Sequence, residues 1–144
     1  MFASVQKVLK QYWQPITQLS DLVLWDRREF NSYADHAANV ALDLKSDWNI
    51  LDSQVLEEAR RSKANIRATA DGARRGDGQA AAGIAFFAYF PGGRRVIFHR
   101  AGKLLGKLSS AFLAEALAME WCLESFITFL GLAATKQFIA ILLI

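Results

Sequence analysis

Two carboxylates stand where they could share a metal ion. Asp71 ends a stretch, residues 66–71, in which apolar and polar side chains alternate as they do in a β-strand. Glu115 lies within residues 111–124, which contain no glycine or proline and are rich in strong helix formers. At about 100° per residue, Glu115 shares a helix face with small and apolar side chains. Because Mg²⁺ prefers carboxylate oxygens, an acid from a strand and one from an adjoining helix suit a magnesium site.

Each of these acids also has a simpler explanation. An aspartate before a glycine, as at Asp71, often starts a turn by accepting backbone N–H groups. An acid such as Glu115 is often found at the edge of a buried helix face, where its charge still meets water. The informative feature is therefore the order along the chain: an acid ending a strand, a glycine-rich turn, two more strands, and a helix with an inward-facing acid.

The elements that must position these acids are a β-meander and the helix after it. Alternation and β-prone composition predict strands at residues 66–71, 82–90 and 96–98. Glycine-rich and proline-containing segments at residues 72–78 and 91–93 predict the turns between them. Short connections imply that neighbouring strands run antiparallel, and the helix of residues 111–124 follows.

The segments outside the meander have weaker patterns. Before it, we predict a helix over residues 4–13, a short strand at 22–25, and a second helix with Asn31 as its N-cap. Residues 46–65 are polar and charged, which indicates a solvated helix or a connector. Residues 126–144 are apolar and are interpreted as a buried strand followed by the start of a helix. Membrane insertion is the alternative, but Lys136 would cost roughly 2.5 to 3.5 kcal/mol there.

The acids and their neighbours resemble a known family. Residues 69–73 (TADGA) and 76–85 (GDGQAAAGIA) are similar to the opening of a ribonuclease H type 1 domain, and residues 114–118 (AEALA) resemble its first-helix motif. The resemblance is closest to the reverse-transcriptase-like domains of plants and retroelements. It implies an α/β, ribonuclease H-like fold with a mixed sheet, in which the antiparallel three-strand meander is followed by a helix and flanked by N-terminal helices. It also implies that Asp71 and Glu115 are catalytic ligands of Mg²⁺ or Mn²⁺.

A second match lies upstream of the first. Residues 28–39 (REFNSYADHAAN) resemble the closing motif of the same subfamily, whose aspartate contributes a carboxylate to the metal site. Asp35 holds the corresponding position, although an aspartate near a helix start is also favoured by the helix dipole. The order implies a permuted domain or a fragment: residues 1–45 resemble the C-terminal part, 46–65 connect, and 66–144 resemble the N-terminal part.

By this resemblance, the chain is expected to hydrolyse the RNA strand of an RNA/DNA hybrid. Asp71, Glu115 and Asp35 would hold the metal. The paired arginines suit a polyanionic partner and would contact phosphates: Arg74, Arg75, Arg94 and Arg95. No small-molecule cofactor is expected.

The alternative is a catalytically degraded domain that only binds nucleic acid. The family places a further aspartate after the helix, and the nearest counterpart here is Thr135, with no Asp or Glu anywhere after Glu124. Hydrolysis with two metals needs several negative ligands, so the loss of one would weaken turnover. An aspartate introduced at Thr135 would then be expected to restore activity.

Composition sets the broader class. The chain has 144 residues, a net charge of +3 and 53% hydrophobic residues, which predicts one folded domain. The single cysteine, Cys122, and the absence of a leader pattern at the start favour an intracellular protein, cytoplasmic or nuclear. The charge of Lys136 within the apolar segment argues against membrane association. His36 and His99 have no partners at zinc-ligand spacing and are expected to be ordinary surface or sheet residues.

Overall fold

The computed structural model describes residues 28–137, with side chains at 31–129. The elements, in chain order, are α1 (Arg28–Leu44), β1 (Trp48–Leu51), α2 (Ser53–Arg61), β2 (Asn65–Arg74), β3 (Gln79–Tyr89), β4 (Arg95–Lys107) and α3 (Ala111–Gln137). The four strands form one open antiparallel sheet in the order β1-β4-β3-β2. The fold is therefore α/β. The helix predicted at residues 4–13 and the strand predicted at 22–25 lie outside the described residues.

The predicted meander is confirmed, but its strands are longer than predicted. β2 continues through Gly72 to Arg74, which pairs with Ala80, so the turn comprises only the residues between them. The third strand was predicted to end at Phe98, yet β4 continues to Lys107. The prediction was wrong because glycines and alanines carry little β-propensity of their own. Here they pair with the similarly small residues of β3, as in Gly83 opposite Gly102.

The sheet is covered on both faces. α3 packs over β2 and β3, and large side chains fill the space between them. The principal members of this cluster are Ile66, Ile84, Phe86, Phe98, Met119, Leu123 and Phe126. α1 lies on the opposite face, and where it comes nearest the sheet its residues are fully buried alanines: Ala34, Ala37, Ala38 and Ala41. Because these side chains are small, the backbone of α1 comes unusually near the strands.

Several sequence-based predictions are wrong in detail. The segment at 46–65 contains a solvated helix, α2, but also β1, which is too short to show a pattern and forms by pairing with β4. α1 begins at Arg28, so Asn31 lies within the helix instead of capping it. Residues 126–137 continue α3 and do not form a strand. The four described strands all pair antiparallel, so the mixed sheet is not found among residues 28–137.

The long helix α3 also bears on the membrane alternative. Its 27 residues include an apolar stretch from Phe126 onward. Over residues 28–137, no helix combines the length and the apolar character that crossing a bilayer requires.

Candidate functional site

Asp71 lies at one end of a row of residues that runs straight across the sheet. In the strand register, Asp71 pairs with Gly83, Gly83 with Gly102, and Gly102 with Trp48. Directly paired residues of antiparallel strands project to the same face. A side chain at Gly83 or Gly102 would meet the backbone of α1, so this row faces that helix. Asp71 is therefore directed to the α1 face.

The two glycines of this row allow α1 to reach the sheet. A Cβ atom at Gly83 would lie against the carbonyl oxygen of Ala34 and 2.6 Å from the amide nitrogen of Ala38. Real Cβ atoms do not approach backbone this closely, so α1 can occupy its position only where the strand carries no side chain. Asp35 is the residue after Ala34. The close approach thus sets the acid of α1 beside the strand pair that carries Asp71.

A third glycine, on the other face, positions Glu115. Gly72 follows Asp71 and therefore projects to the opposite side of the sheet, toward α3. A Cβ atom at Gly72 would lie 2.5 Å from the carbonyl oxygen of Ala114 and would also meet the amide nitrogen of Glu115. The first turn of α3 therefore rests directly on the edge strand β2. The backbone of Glu115 therefore lies against Gly72, the residue next to Asp71.

The electrostatics of Asp71 show that the three acids converge. The pKa of Asp71 is raised from its ordinary 3.8 to about 7, first by burial and then by the negative charges of Asp35 and Glu115. A hydrogen bond between the Asp71 and Asp35 side chains also favours the protonated form, whereas the backbone N–H of Gly72 favours the ionised form. Asp71 therefore retains its proton to near neutral pH.

The cluster is not closed as a metal cage. Among residues 28–137, no three His, Cys, Asp or Glu side chains are arranged closely enough to hold a metal ion as they stand. Asp35 is oriented by its own helix, since the amide of Asn39 donates to its carboxylate at 3.3 Å and to its backbone carbonyl at 3.0 Å. Asp35 and Glu115 thus interact electrostatically with Asp71, but the three acids do not form a preformed coordination shell.

The four arginines predicted to contact phosphates do not form one surface. Arg74 and Arg75 lie at the β2–β3 turn, at the end of the sheet nearer Asp71. Arg94 and Arg95 lie at the β3–β4 turn, the full length of β3 away, or about 30 Å. A nucleic acid bound at the acids would therefore meet the first pair more directly than the second.

The arginines also have partners within the protein. The Nε of Arg74 donates to the carbonyl of Leu108 at 2.7 Å, and Arg75 forms an ion pair with Asp43 at 2.7 Å. Arg94 pairs with Glu58 and stacks over the ring of Phe90 at 4.3 Å. Exposed pairs of this kind contribute little stability, so these guanidinium groups can exchange their partners for phosphates at small cost.

Thr135 does not occupy the position that the family gives to its further aspartate. Thr135 lies in the last turns of α3, not at the end of a strand. It follows Glu115 by 20 residues, which is about 30 Å along an α-helix at 1.5 Å per residue. An aspartate introduced at Thr135 would therefore be far from Glu115 and is not expected to restore activity.

Of two other side chains, Cys122 has the buried environment predicted from the sequence, and His99 does not. Cys122 is fully buried in the α3 cluster, as predicted for a core residue, and burial raises the pKa of its thiol far above the ordinary range. His99 is more unusual than predicted, because it is buried and burial lowers its pKa. Its Nδ1 atom has no hydrogen-bond partner. Sequence reasoning missed this environment because His99 is buried by Phe129, thirty residues later in the chain.

Comparison with known proteins yields no relatives: no family model, curated protein or solved structure matches this chain. The function is therefore inferred from the site itself. Its main features are the three acids, the glycines that let two helices approach them, and the basic turn nearby.

Proposed function

We propose that the protein is a divalent-metal-dependent nuclease of ribonuclease H-like type, which cleaves the RNA strand of RNA/DNA hybrids. The observation that carries the proposal is the convergence of Asp35, Asp71 and Glu115 from three separate elements. Two of these elements reach the acids only because Gly72 and Gly83 lack side chains. A fold that needed no cluster of acids could satisfy the same packing with neutral residues, at no cost in electrostatic repulsion.

The donor set fits a hard cation. Mg²⁺ and Mn²⁺ prefer carboxylate oxygens as ligands, and three carboxylates are present here. One of them, Asp71, retains a proton near neutral pH. We propose that Asp71, Glu115 and Asp35 would hold the ion, and that its binding would release the proton of Asp71 to solvent. When bound, such an ion supplies a Lewis acid for the phosphate and a water of lowered pKa.

The neighbouring residues have distinct roles in this proposal. Asn39 holds the carboxylate of Asp35 by the hydrogen bond described above. Arg74 and Arg75, at the adjacent turn, attract the phosphate backbone, and Asp43 neutralises Arg75 until a phosphate replaces it. Discrimination for RNA would arise from contacts with the 2′-hydroxyl groups of the strand being cut.

The position of α1 supports the permuted interpretation over the fragment. Residues 28–39, which resemble the closing motif of the family, belong to a helix that packs across β2, β3 and β4 of the same chain. A fragment cut from two tandem copies would have left this helix without its sheet. The resemblance of the two motifs and the contact between them thus favour one permuted domain.

Cleavage of a labelled RNA/DNA hybrid in the presence of Mg²⁺ tests the proposal. Glu115→Gln removes one negative ligand while preserving shape, and we expect cleavage to fall by about 100-fold or more. Glu124→Gln on the same helix is the matched control, because Glu124 is exposed and its side chain makes no hydrogen bond among those described. This control should cleave at the wild-type rate.

Equal loss in both variants, or no cleavage by the wild-type protein, would contradict the nuclease proposal. In the second case the better proposal is a catalytically degraded module that binds nucleic acid. Two observations favour this second candidate: the described acids form no closed metal group, and the sequence has no carboxylate after Glu124. Binding of the hybrid that weakens steeply with salt and needs no Mg²⁺ would identify it.

A further inference from the structure

A cleft of about 500 Å³ lies on the α3 face of the sheet, at the edge farthest from Asp71. α3 packs over β2 and β3, so the part of this face formed by β4 and β1 is left beside the helix instead of beneath it. The floor of the cleft comes from β1 and β4, and its wall comes from α3 at Trp121, Ser125 and Phe129. These three wall residues are four apart and therefore lie on one side of the helix. The volume is in the range of small-molecule sites.

The cleft combines aromatic walls with a positive charge. The rings of Trp121 and Phe129 line it, and the Lys103 ammonium lies 5.8 Å from the centre of the Trp121 ring. Lys103 is exposed. The one carboxylate of the lining, Asp47, accepts the backbone N–H of Leu104 at 2.8 Å and is thereby held against β4. Lys103 is therefore the cation of the lining that an anionic ligand can contact.

The floor also contains a polar group that the protein leaves unsatisfied. His99 lines the cleft, is only 6% exposed, and has a buried Nδ1 without a hydrogen-bond partner. Its ring packs edge-on against Phe129, with the ring centroids 4.7 Å apart. A buried polar atom without a partner destabilises the folded protein, so the imidazole of His99 is a polar element in an otherwise aromatic part of the cleft.

We propose that this cleft binds a small molecule made of a planar aromatic ring and an anionic group, such as a nucleoside monophosphate. The ring would stack against Trp121 and Phe129, and the anion would bind Lys103. Stacking on aromatic side chains is favourable for any base, because every base has a π-face. An aromatic carboxylate has the same two features, so the probes below separate these two sources of ligand. This proposal does not depend on the carboxylate cluster, which lies on the α1 face.

The test is a titration of the full-length protein with 5′-AMP, followed by calorimetry and by the indole N–H signals of its four tryptophans. The Trp121 signal is identified by its disappearance in Trp121→Phe. We expect 5′-AMP to shift this signal. Adenosine, which lacks the anion, and inorganic phosphate, which lacks the ring, should bind more weakly. 1-Naphthoate tests the carboxylate source: tighter binding of naphthoate than of 5′-AMP assigns the cleft to aromatic carboxylates.

A pair of exposed lysines on β4 supplies the matched variants. Lys103→Gln should weaken 5′-AMP binding about fivefold, the effect of roughly 1 kcal/mol from one exposed charge pair, and should leave adenosine binding unchanged. Lys107→Gln, on the same strand but outside the cleft, should leave both unchanged. Neither substitution touches the core, so both variants are expected to fold. The proposal is overturned if neither 5′-AMP nor naphthoate binds at millimolar concentration, or if Lys103→Gln and Trp121→Phe both bind as the wild type does.

Discussion

Replacing Gly83 by alanine is expected to lower the free energy of unfolding by about 3 kcal/mol or more, at the upper end of overpacking effects. The new methyl group would overlap the carbonyl oxygen of Ala34 and crowd the amide of Ala38. Both obstacles are helix backbone and cannot rotate away, so the whole of α1 must move off the sheet. Denaturant unfolding followed by circular dichroism measures the change.

Gly76→Ala is the control for this substitution. Gly76 lies in the β2–β3 turn, a Cβ atom there would meet nothing within 4 Å, and its φ angle is not positive. We expect this variant to be unchanged or more stable by about 0.4 to 1 kcal/mol, because alanine restricts the unfolded chain. If Gly83→Ala were as stable as Gly76→Ala, α1 could not lie as close to β3 as the structure has it. The position of Asp35 would then also be in doubt.

Replacing Asp71 by asparagine is expected to stabilise the protein in metal-free buffer at pH 8 and to have a smaller effect at pH 5. In the folded protein the pKa of Asp71 is about 7, against 3.8 ordinarily. The folded state therefore binds more protons than the unfolded state between these two values. The stability contributed by the neutral carboxyl is complete below pH 4 and is lost as the pH rises through 7. Above pH 7, a charged Asp71 is both buried away from water and repelled by Asp35 and Glu115, whereas asparagine carries no charge.

The expected gain at pH 8 is about 1 to 2 kcal/mol, after allowance for solvent screening of a partly exposed carboxyl. Urea unfolding of both proteins at pH 5 and pH 8, with EDTA present, measures it. Glu124→Gln is again the control and should show no such pH dependence. A gain of the same size at both pH values would mean that the effect comes from packing and not from the repulsion among the acids.

Addition of Mg²⁺ should reverse the order of stability at pH 8 if the proposed site is correct. An ion that binds only the folded wild type stabilises it by mass action, whereas Asp71→Asn has lost a ligand and gains less. A wild-type protein that Mg²⁺ leaves unchanged would favour the degraded, metal-free module. This measurement needs no nucleic acid and is independent of the cleavage assay.

The predictions from sequence succeeded where short-range pattern decides structure. Alternation around Ala68 and Ala70 and the helix formers around Glu115 define the meander and the start of α3, because each strand or helix turn is visible within a few residues. The predictions failed where pairing with residues distant in the chain decides the structure. β1 and the second half of β4 have weak patterns of their own. β1 forms by pairing with residues 99–102 of β4, and the second half of β4 forms by pairing with the first half of β3.

The three acids of the candidate site illustrate the same division. The identities of Asp35, Asp71 and Glu115, and their places on a helix, a strand and a second helix, were predicted from the chain alone. Their convergence was not determined by any local pattern, because it requires two helices on opposite faces to touch the sheet at Gly83 and Gly72. Only the tertiary structure decides such contacts, since backbone can approach backbone this closely only where two distant segments both lack large side chains.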